Sequence, residues 1–329
     1  MKALLQLRVK RHAWPLKEPF VISRGTRTEA HVVVVELAGD GHVGCGEAGG
    51  VGYHGETPET MQAQIESIRE AVESGCGRRD LPALLPAGGA RHALDAALWD
   101  LEAKREGIPV WKMAGAGRWN PVASAVTIGI RSLDAYERSA REYSEFPWLK
   151  VKVDGNSPVE AIAAVRRGAP EPRLIVDANQ SWSVAALRQH AERLRDHGVD
   201  LIEQPVPAGE DDGLAGYRCP VPLCADESMS TADDLPSLVG RYQFVNIKLD
   251  KVGGLTSALE LAGEARRLGL RLMVGCMLGG SVSVAPAMVL AQQCEVCDLD
   301  GPWLLTRDWP RSIVYNHGIM QPPAPELWG

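Results

Sequence analysis

Two rhythms of apolar and polar positions divide the chain. In the first, a β-branched run from Val32 to Leu37 precedes Gly-rich turns and a second short strand near Val43. Thr57-Pro58 then opens a predicted helix through about Glu73, with Thr57 as N-cap and Pro58 at the first helical position. Leu94, Ala97, Leu98 and Leu101 fall at i, i+3, i+4 and i+7, which predicts a second helix over about Ala90 to Glu106. Strands followed by helices predict a small α+β unit. From about Ser124 short apolar strands alternate with amphipathic helices. Eight strands are expected: Ser124–Ile128, Leu149–Val153, Leu174–Asp177, Asp200–Glu203, Leu223–Asp226, Phe244–Lys248, Arg271–Cys276 and Val296–Asp300. Ser157-Pro158-Val159-Glu160 reads as a capping box opening one intervening helix, and Thr256 to Glu260 opens another. Such a run of βα-type repeats indicates a (β/α)8-type barrel. From Trp303 the repeat stops, and Pro310, Pro322, Pro323 and Pro325 mark a tail. The expected layout is a capping domain over 1–117, a barrel over 118–305, and a C-terminal tail over 306–329 that packs back on the capping domain.

Barrel active sites lie at the C-terminal ends of the strands. Reading the last residue or so of each strand gives Thr127, Lys152, Asp177, Glu203, Asp226, Lys248, Cys276 and Asp298, at steps of 25, 25, 26, 23, 22, 28 and 22 residues. So regular a spacing places them around one ring. Burying such charges unpaired is costly, so their gathering at one end needs a cause. Asp177, Glu203 and Asp226 end three successive strands, which lie about 5 Å apart. Carboxylates that close repel unless a cation sits between them. Hard oxygen donors without a His or Cys partner suit Mg²⁺, with Mn²⁺ the other choice. Lys152 and Lys248 end the second and sixth strands, four strands apart in a ring of eight, and hence face each other. Each could reach one face of a bound carbon acid. Lys150 shares the inward side of its strand with Lys152. Two neighbouring ammonium groups near a divalent cation favour the neutral amine of Lys152. The competing reading is an ion-pair network that merely neutralises the acids. Asp298 and Asp300 share a face and offer a seat for a ligand's ammonium group; otherwise they cap the next turn.

Composition narrows the partners. Lys plus Arg number 35 against 42 Asp plus Glu, a net charge of −7, which argues against a general grip on nucleic acid or an anionic membrane. No apolar run approaches the ~20 residues that span a bilayer. Met1 to Lys10 has no apolar signal core. Seven cysteines, an odd number scattered through apolar segments, do not form a disulfide framework, and a cytoplasmic location is expected. Gly44 to Gly49 matches GxGxxG on paper, but it sits among turns where no helix starts. Lys251, just past the sixth strand, reads as a loop charge. No histidine lies between His197 and His317, so the later strands supply no His base. A homo-oligomer is possible; nothing in the sequence fixes one.

Lys150-Val151-Lys152, Asp177-Ala178-Asn179, Glu203-Gln204-Pro205, Asp226-Glu227-Ser228, Asn246-Ile247-Lys248 and Asp298-Leu299-Asp300 together resemble the motif series of the enolase superfamily. The set looks most like the muconate-lactonizing subgroup, and within it the dipeptide epimerases of the L-Ala-D/L-Glu type. That resemblance implies a modified (β/α)7β barrel, a TIM-barrel variant, under an N-terminal α+β capping domain. It implies Mg²⁺ held by Asp177, Glu203 and Asp226, an acid/base pair of Lys152 and Lys248, and assistance from Lys150. Asp298 and Asp300 would hold the α-ammonium of a dipeptide. Thr127 and Cys276 fall where the family contacts substrate. Arg24, in Ser23-Arg24-Gly25, lies where the capping domain reaches over the site, and its guanidinium suits a second carboxylate. The implied reaction is Mg-dependent epimerisation of a dipeptide, L-Ala-D/L-Glu or related. Two lysines would transfer the α-proton through a metal-stabilised enediolate. An N-acylamino acid racemase or an o-succinylbenzoate synthase-type enzyme is the alternative; neither needs an ammonium site. Met277-Leu278-Gly279-Gly280-Ser281 and Gly50–Glu56 are the variable parts, so the second side chain of the dipeptide stays open.

Overall fold

The computed structural model describes residues 4–22 and 25–329. Its first part is an antiparallel sheet of β1 (Gln6–Ile22), β2 (Gly25–Gly39) and β3 (His42–Ala48), with β2 in the middle. Val33, Val35 and Leu37 point to one face and pack with Ala90, Ala93, Leu94, Ala97 and Leu101 of the helix Gly89–Glu106. The second strand expected near Val43 is β3, and it runs on through the Gly-rich segment expected as turns. Its glycines serve contact with that helix: a Cβ on Gly46 would sit 2.0 Å from the Ala93 carbonyl oxygen and 2.8 Å from the Ala97 nitrogen. Gly46→Ala must therefore push backbone from backbone. It is expected to cost about 2 kcal/mol, read as a fall of several degrees in Tm. The helix expected from Thr57 to Glu73 is broken at Ile68 into Pro58–Ser67 and Arg69–Glu73. At the start of the second piece, Arg69 bonds Glu66, Glu73 and the Leu7 carbonyl, which ties this region to β1.

The remaining strands are β4 (Val122–Ala123), β5 (Val126–Ile128), β6 (Trp148–Lys152), β7 (Arg173–Asp177), β8 (Val199–Glu203), β9 (Leu223–Ala225), β10 (Phe244–Lys248), β11 (Arg271–Gly275), β12 (Val296–Asp298), β13 (Tyr315–Asn316) and β14 (Ile319–Met320). β5 to β12 form one parallel sheet in chain order. Its edges meet where the Ala125 amide donates to the Cys297 carbonyl at 2.8 Å. All eight expected strands are present, with ends that differ from expectation by at most two residues. The first begins two residues late, just after β4, which pairs with β14. The helical repeat is less regular than expected. β8 is followed only by the 3₁₀ turn Asp211–Leu214, and β12 only by Pro302–Leu304. Pro205, Pro207, Gly209, Gly213 and Gly216 lie in the first of these connections, and Gly301-Pro302 opens the second; such residues break helices.

Ala125, Trp148, Ile175, Leu201, Cys224, Phe244, Met273 and Val296, one from each strand or its approach, plug the interior. The polar ring lies above this floor. The capping domain is fastened over it. Arg91 donates to the carbonyls of Val252 and Gly253, and the Gly50 amide donates to Asp250 at 2.8 Å. Thr256 does not cap its helix, whose N-cap is Gly254; its hydroxyl donates to Asp95 of the cap helix instead. Ser157 precedes Pro158 as expected, but its side chain makes no capping bond. Chain after the barrel returns to the cap. Thr306 N donates to Pro15 O at 2.9 Å, the Trp328 indole to Ala96 O at 3.0 Å, and Gly329 N to Asp100 at 2.8 Å. Among the described residues, no helix is long and apolar enough to cross a membrane.

Candidate active site

Parallel pairing sets the ring. Lys152, Asp177 and Glu203 stand side by side in register across β6, β7 and β8. Lys248 and Asp298 flank Gly275 across β10, β11 and β12. A Cβ on Gly275 would lie 2.8 Å from Asn246 Oδ1 and 3.1 Å from Lys248 Cε. The absent side chain is what lets Lys248 extend inward. β6 and β10 are four strands apart, so Lys152 and Lys248 enter from opposing staves.

Every acid of the triad is turned onto a lysine. Lys150 Nζ lies 2.7 Å from Asp298 Oδ2, 2.8 Å from Glu203 Oε2 and 3.1 Å from Asp177 Oδ2. Lys152 Nζ is 2.6 Å from Asp177 Oδ2, and Lys248 Nζ is 2.7 Å from Asp226 Oδ2. Lys251, expected as a loop charge, is fully buried; its Nζ lies 2.6 Å from Asp226 Oδ1 and donates to the Asp226 carbonyl. It stands on the turn Leu249–Val252, which curls back over the ring. Burial disfavours the charges of Asp177 and Asp226, but the lysines beside them prevail and hold both carboxyls below the usual range. Glu203 goes the other way: burial, then the charge of Asp177, pushes it up to about 7. Burial likewise opposes the charge on Lys150 and Lys248. Asp298, Glu203 and Asp177 around the first, and Asp226 beside the second, raise both above the ordinary lysine value.

Among the described residues no ready-made shell of three metal-ligating side chains has closed. The residues nevertheless fit a divalent cation by donor chemistry. Three carboxylates on consecutive strands supply hard oxygens. A cation, the Lys150 ammonium, already sits among two of them and Asp298. Glu203 Oε2 is buried and accepts no hydrogen bond of good geometry, despite its closeness to Lys150.

On the far side of the ring, Asp300 Oδ2 accepts from the Thr127 amide at 2.7 Å. Burial and then the charge of Asp298 push the Asp300 carboxyl up to about 7. Tyr315 donates to the Leu299 carbonyl and fixes the segment between the two acids. Burial holds the Cys276 thiol protonated, which suits a pocket wall and not a nucleophile. A cavity of about 370 Å³ joins these parts, of a size that suits a small molecule. Thr127, Lys150, Lys152, Lys248, Cys276, Asp298 and Asp300 line it from the barrel. Phe20, Ile22, Arg27 and Tyr53 line it from the cap. Arg24 lies outside the described residues; Arg27, three positions on, brings a guanidinium to the cap wall.

Sequence reasoning assigns no site role to four residues here: Arg27, Gln204, Asn246 and Lys251. Asn246 lies two before Lys248, as Lys150 lies two before Lys152, and donates to Glu203 Oε1 at 3.0 Å. Gln204 is buried at φ +34°, a region few side chains adopt. Its carbonyl oxygen accepts from the amides of Asp226 and Ser228, while its Nε2 donates to the Val206 carbonyl. Gln204 thereby ties the strand end of Glu203 to that of Asp226. Its place in Glu203-Gln204-Pro205 is visible in the sequence; its tie to the next strand is not.

Comparison with known proteins gives the family and the fold. Residues 4–115 match the family model of the mandelate racemase/muconate lactonizing enzyme N-terminal domain, and residues 134–325 match the enolase C-terminal domain-like model. The L-Ala-D/L-Glu epimerase of Escherichia coli K12 is 44% identical over 95% of this chain and 98% of its own length. The N-acetyl-D-glutamate racemase of a Pseudoalteromonas species is 40% identical over 91% of this chain and 95% of its own. Among solved structures, an enolase family member from Agrobacterium tumefaciens with homology to dipeptide epimerases holds sodium and L-Ala-L-Glu. It superposes with a TM-score of 0.97 at 40% identity, covering 99% of this chain and 100% of that one. Three other solved dipeptide epimerases, 27 to 32% identical, are complexes with magnesium and a dipeptide. The chain belongs to the mandelate racemase and muconate lactonizing enzyme family of the enolase superfamily, in the company of its dipeptide epimerases.

Proposed function

We propose that this isomerase inverts the α-carbon of the second residue of a dipeptide, with an acidic residue such as glutamate preferred there. One observation carries the reading: Lys152 and Lys248, from strands four apart, line one cavity together with the Asp298–Asp300 pair. A single base gives exchange without inversion, whereas a base on each face gives both. Asp177, Glu203 and Asp226 would hold Mg²⁺, which when bound would neutralise the substrate carboxylate and the charge that grows on it as the α-proton leaves. One lysine takes that proton and the opposite lysine, as its ammonium, returns one to the other face. Asp298 and Asp300 receive the dipeptide's α-ammonium, with the Thr127 amide steadying Asp300. The guanidinium of Arg27 on the cap wall suits the side-chain carboxylate of the second residue, a role the sequence also offers to Arg24. The seven free cysteines support a reducing, cytoplasmic setting.

The test is incubation of the enzyme and Mg²⁺ with a dipeptide library and with N-acetylglutamate in D₂O. Dipeptides that gain one deuterium as they invert support the reading. Turnover confined to N-acetylglutamate would replace it with N-acylamino acid racemisation. A second expectation concerns Asp300. Burial and the neighbouring Asp298 push its carboxyl up to about 7, and only the carboxylate attracts an ammonium group. As pH falls below that value the site is neutralised, so kcat/KM for dipeptides is expected to fall with it, because this ratio follows free-enzyme ionisations. Asp300→Asn is expected to raise the dipeptide KM about a hundredfold and to flatten that acidic limb. A KM left unchanged would remove Asp300 from substrate binding.

A further inference from the structure

Glu47 is a buried carboxylate that the mechanism does not use. Glu47, near the end of β3, is 0% exposed and lies in the capping domain. Its hydrogen bonds come from neutral donors. Its Oε1 accepts from the Trp14 indole at 3.1 Å and from the Gly280 amide at 2.6 Å, and its Oε2 accepts from the Trp309 indole. The three donors come from β1, from the loop after β11, and from the chain that follows the barrel, so one side chain joins all three. Burial pushes Glu47 up to about 7, against the pull of the indole and amide donors.

The surroundings are built around this grip. A Cβ on Gly280 would lie 2.9 Å from Asp308 Oδ1, 2.9 Å from Trp309 Cδ1 and 3.0 Å from Trp14 Nε1. A Cβ on Gly49, two residues past Glu47, would lie 2.6 Å from the Leu278 carbonyl oxygen. Asp308 takes the next amide, that of Ser281, at 2.9 Å. The loop so held presents Met277 and Leu278 to the substrate cavity.

We propose that Glu47 is a positioning residue for the reaction: it fixes the Met277–Ser281 loop against the capping domain and so sets how tightly the pocket wall closes on substrate. It touches neither substrate nor the lysines, so it acts on binding more than on proton transfer. Its kinetic half rests on the dipeptide epimerase reading; its structural half does not. Glu47→Gln keeps the shape but aims an NH₂ group at N–H donors, leaving a buried donor unmatched.

The test pairs kinetics with hydrogen exchange on Glu47→Gln, Trp309→Phe and the double variant. Glu47→Gln is expected to raise the dipeptide KM about tenfold with kcat within about threefold. Trp309→Phe should move KM in the same direction by less, and the double variant should add little to Glu47→Gln, because both cut one linkage. Amide exchange in peptides covering 277–281 should speed up in each. A wild-type KM with unchanged exchange overturns the proposal, as does a loss confined to kcat. Should Glu47→Gln fail to fold, Trp309→Phe decides the matter alone by the same two readouts. Should the wild type epimerise no dipeptide, the functional reading fails, while the exchange result still decides the role of Glu47 in the loop.

Discussion

Lys248→Ala is expected to slow epimerisation by about a thousandfold while sparing half of the chemistry. Lys152 remains, paired with Asp177 on the far side of the ring, and can still remove a proton from the face it meets. In D₂O one epimer of the dipeptide should therefore keep exchanging its α-hydrogen without inverting, and the other should be inert. Lys152→Ala should reverse the two. The fold should survive, because Lys251 stays on Asp226 when Lys248 is gone. Chiral separation with mass spectrometry reads both labels and configuration. If the same epimer exchanges in both variants, the two amines do not flank the reacting carbon.

Asp226→Asn should strike stability and activity at once. This carboxylate is the partner of two buried ammonium groups, Lys248 at 2.7 Å and Lys251 at 2.6 Å. The amide cannot balance either. Removing one side of a buried ion pair costs about 3–5 kcal/mol, which for a chain of this size is a drop of about 10 °C in Tm. Epimerisation should fall to background and stay there in excess Mg²⁺, since a negatively charged oxygen donor has been lost. Scanning calorimetry and a Mg²⁺ titration of activity check the two parts. A Tm within a degree or two of wild type would mean that the lysines find other partners. Recovery at high Mg²⁺ would make Asp226 dispensable as a ligand.

The ring of strand ends is legible in the sequence because charge and period coincide there. A lysine or carboxylate recurs at a near-constant step at the close of an apolar run, and burial makes such placement costly by chance. What those charges do to one another is less legible. Lys251 looks like loop because its purpose depends on a turn folding back over Asp226, which no local pattern encodes. Gly44 and Gly46 look like turn because their neighbour, the Gly89–Glu106 helix, is far along the chain. The missing helix after β8 is signalled by its prolines and glycines, a local signal that a regular count of repeats hides. Arg27 and Glu47 belong to walls assembled from two domains, and only the docked structure brings these together.

The floor of eight apolar side chains, one per strand, bears on how such enzymes diverge. It holds the staves together from within, independently of the mouth above and of the capping strands beyond. The cap residues that line the cavity, Phe20, Ile22, Thr26, Arg27 and Tyr53 among them, can then change without disturbing the amines or acids seated on the staves. Substitutions in the cap would then change which molecule the cavity admits and leave the ring of lysines and carboxylates in place.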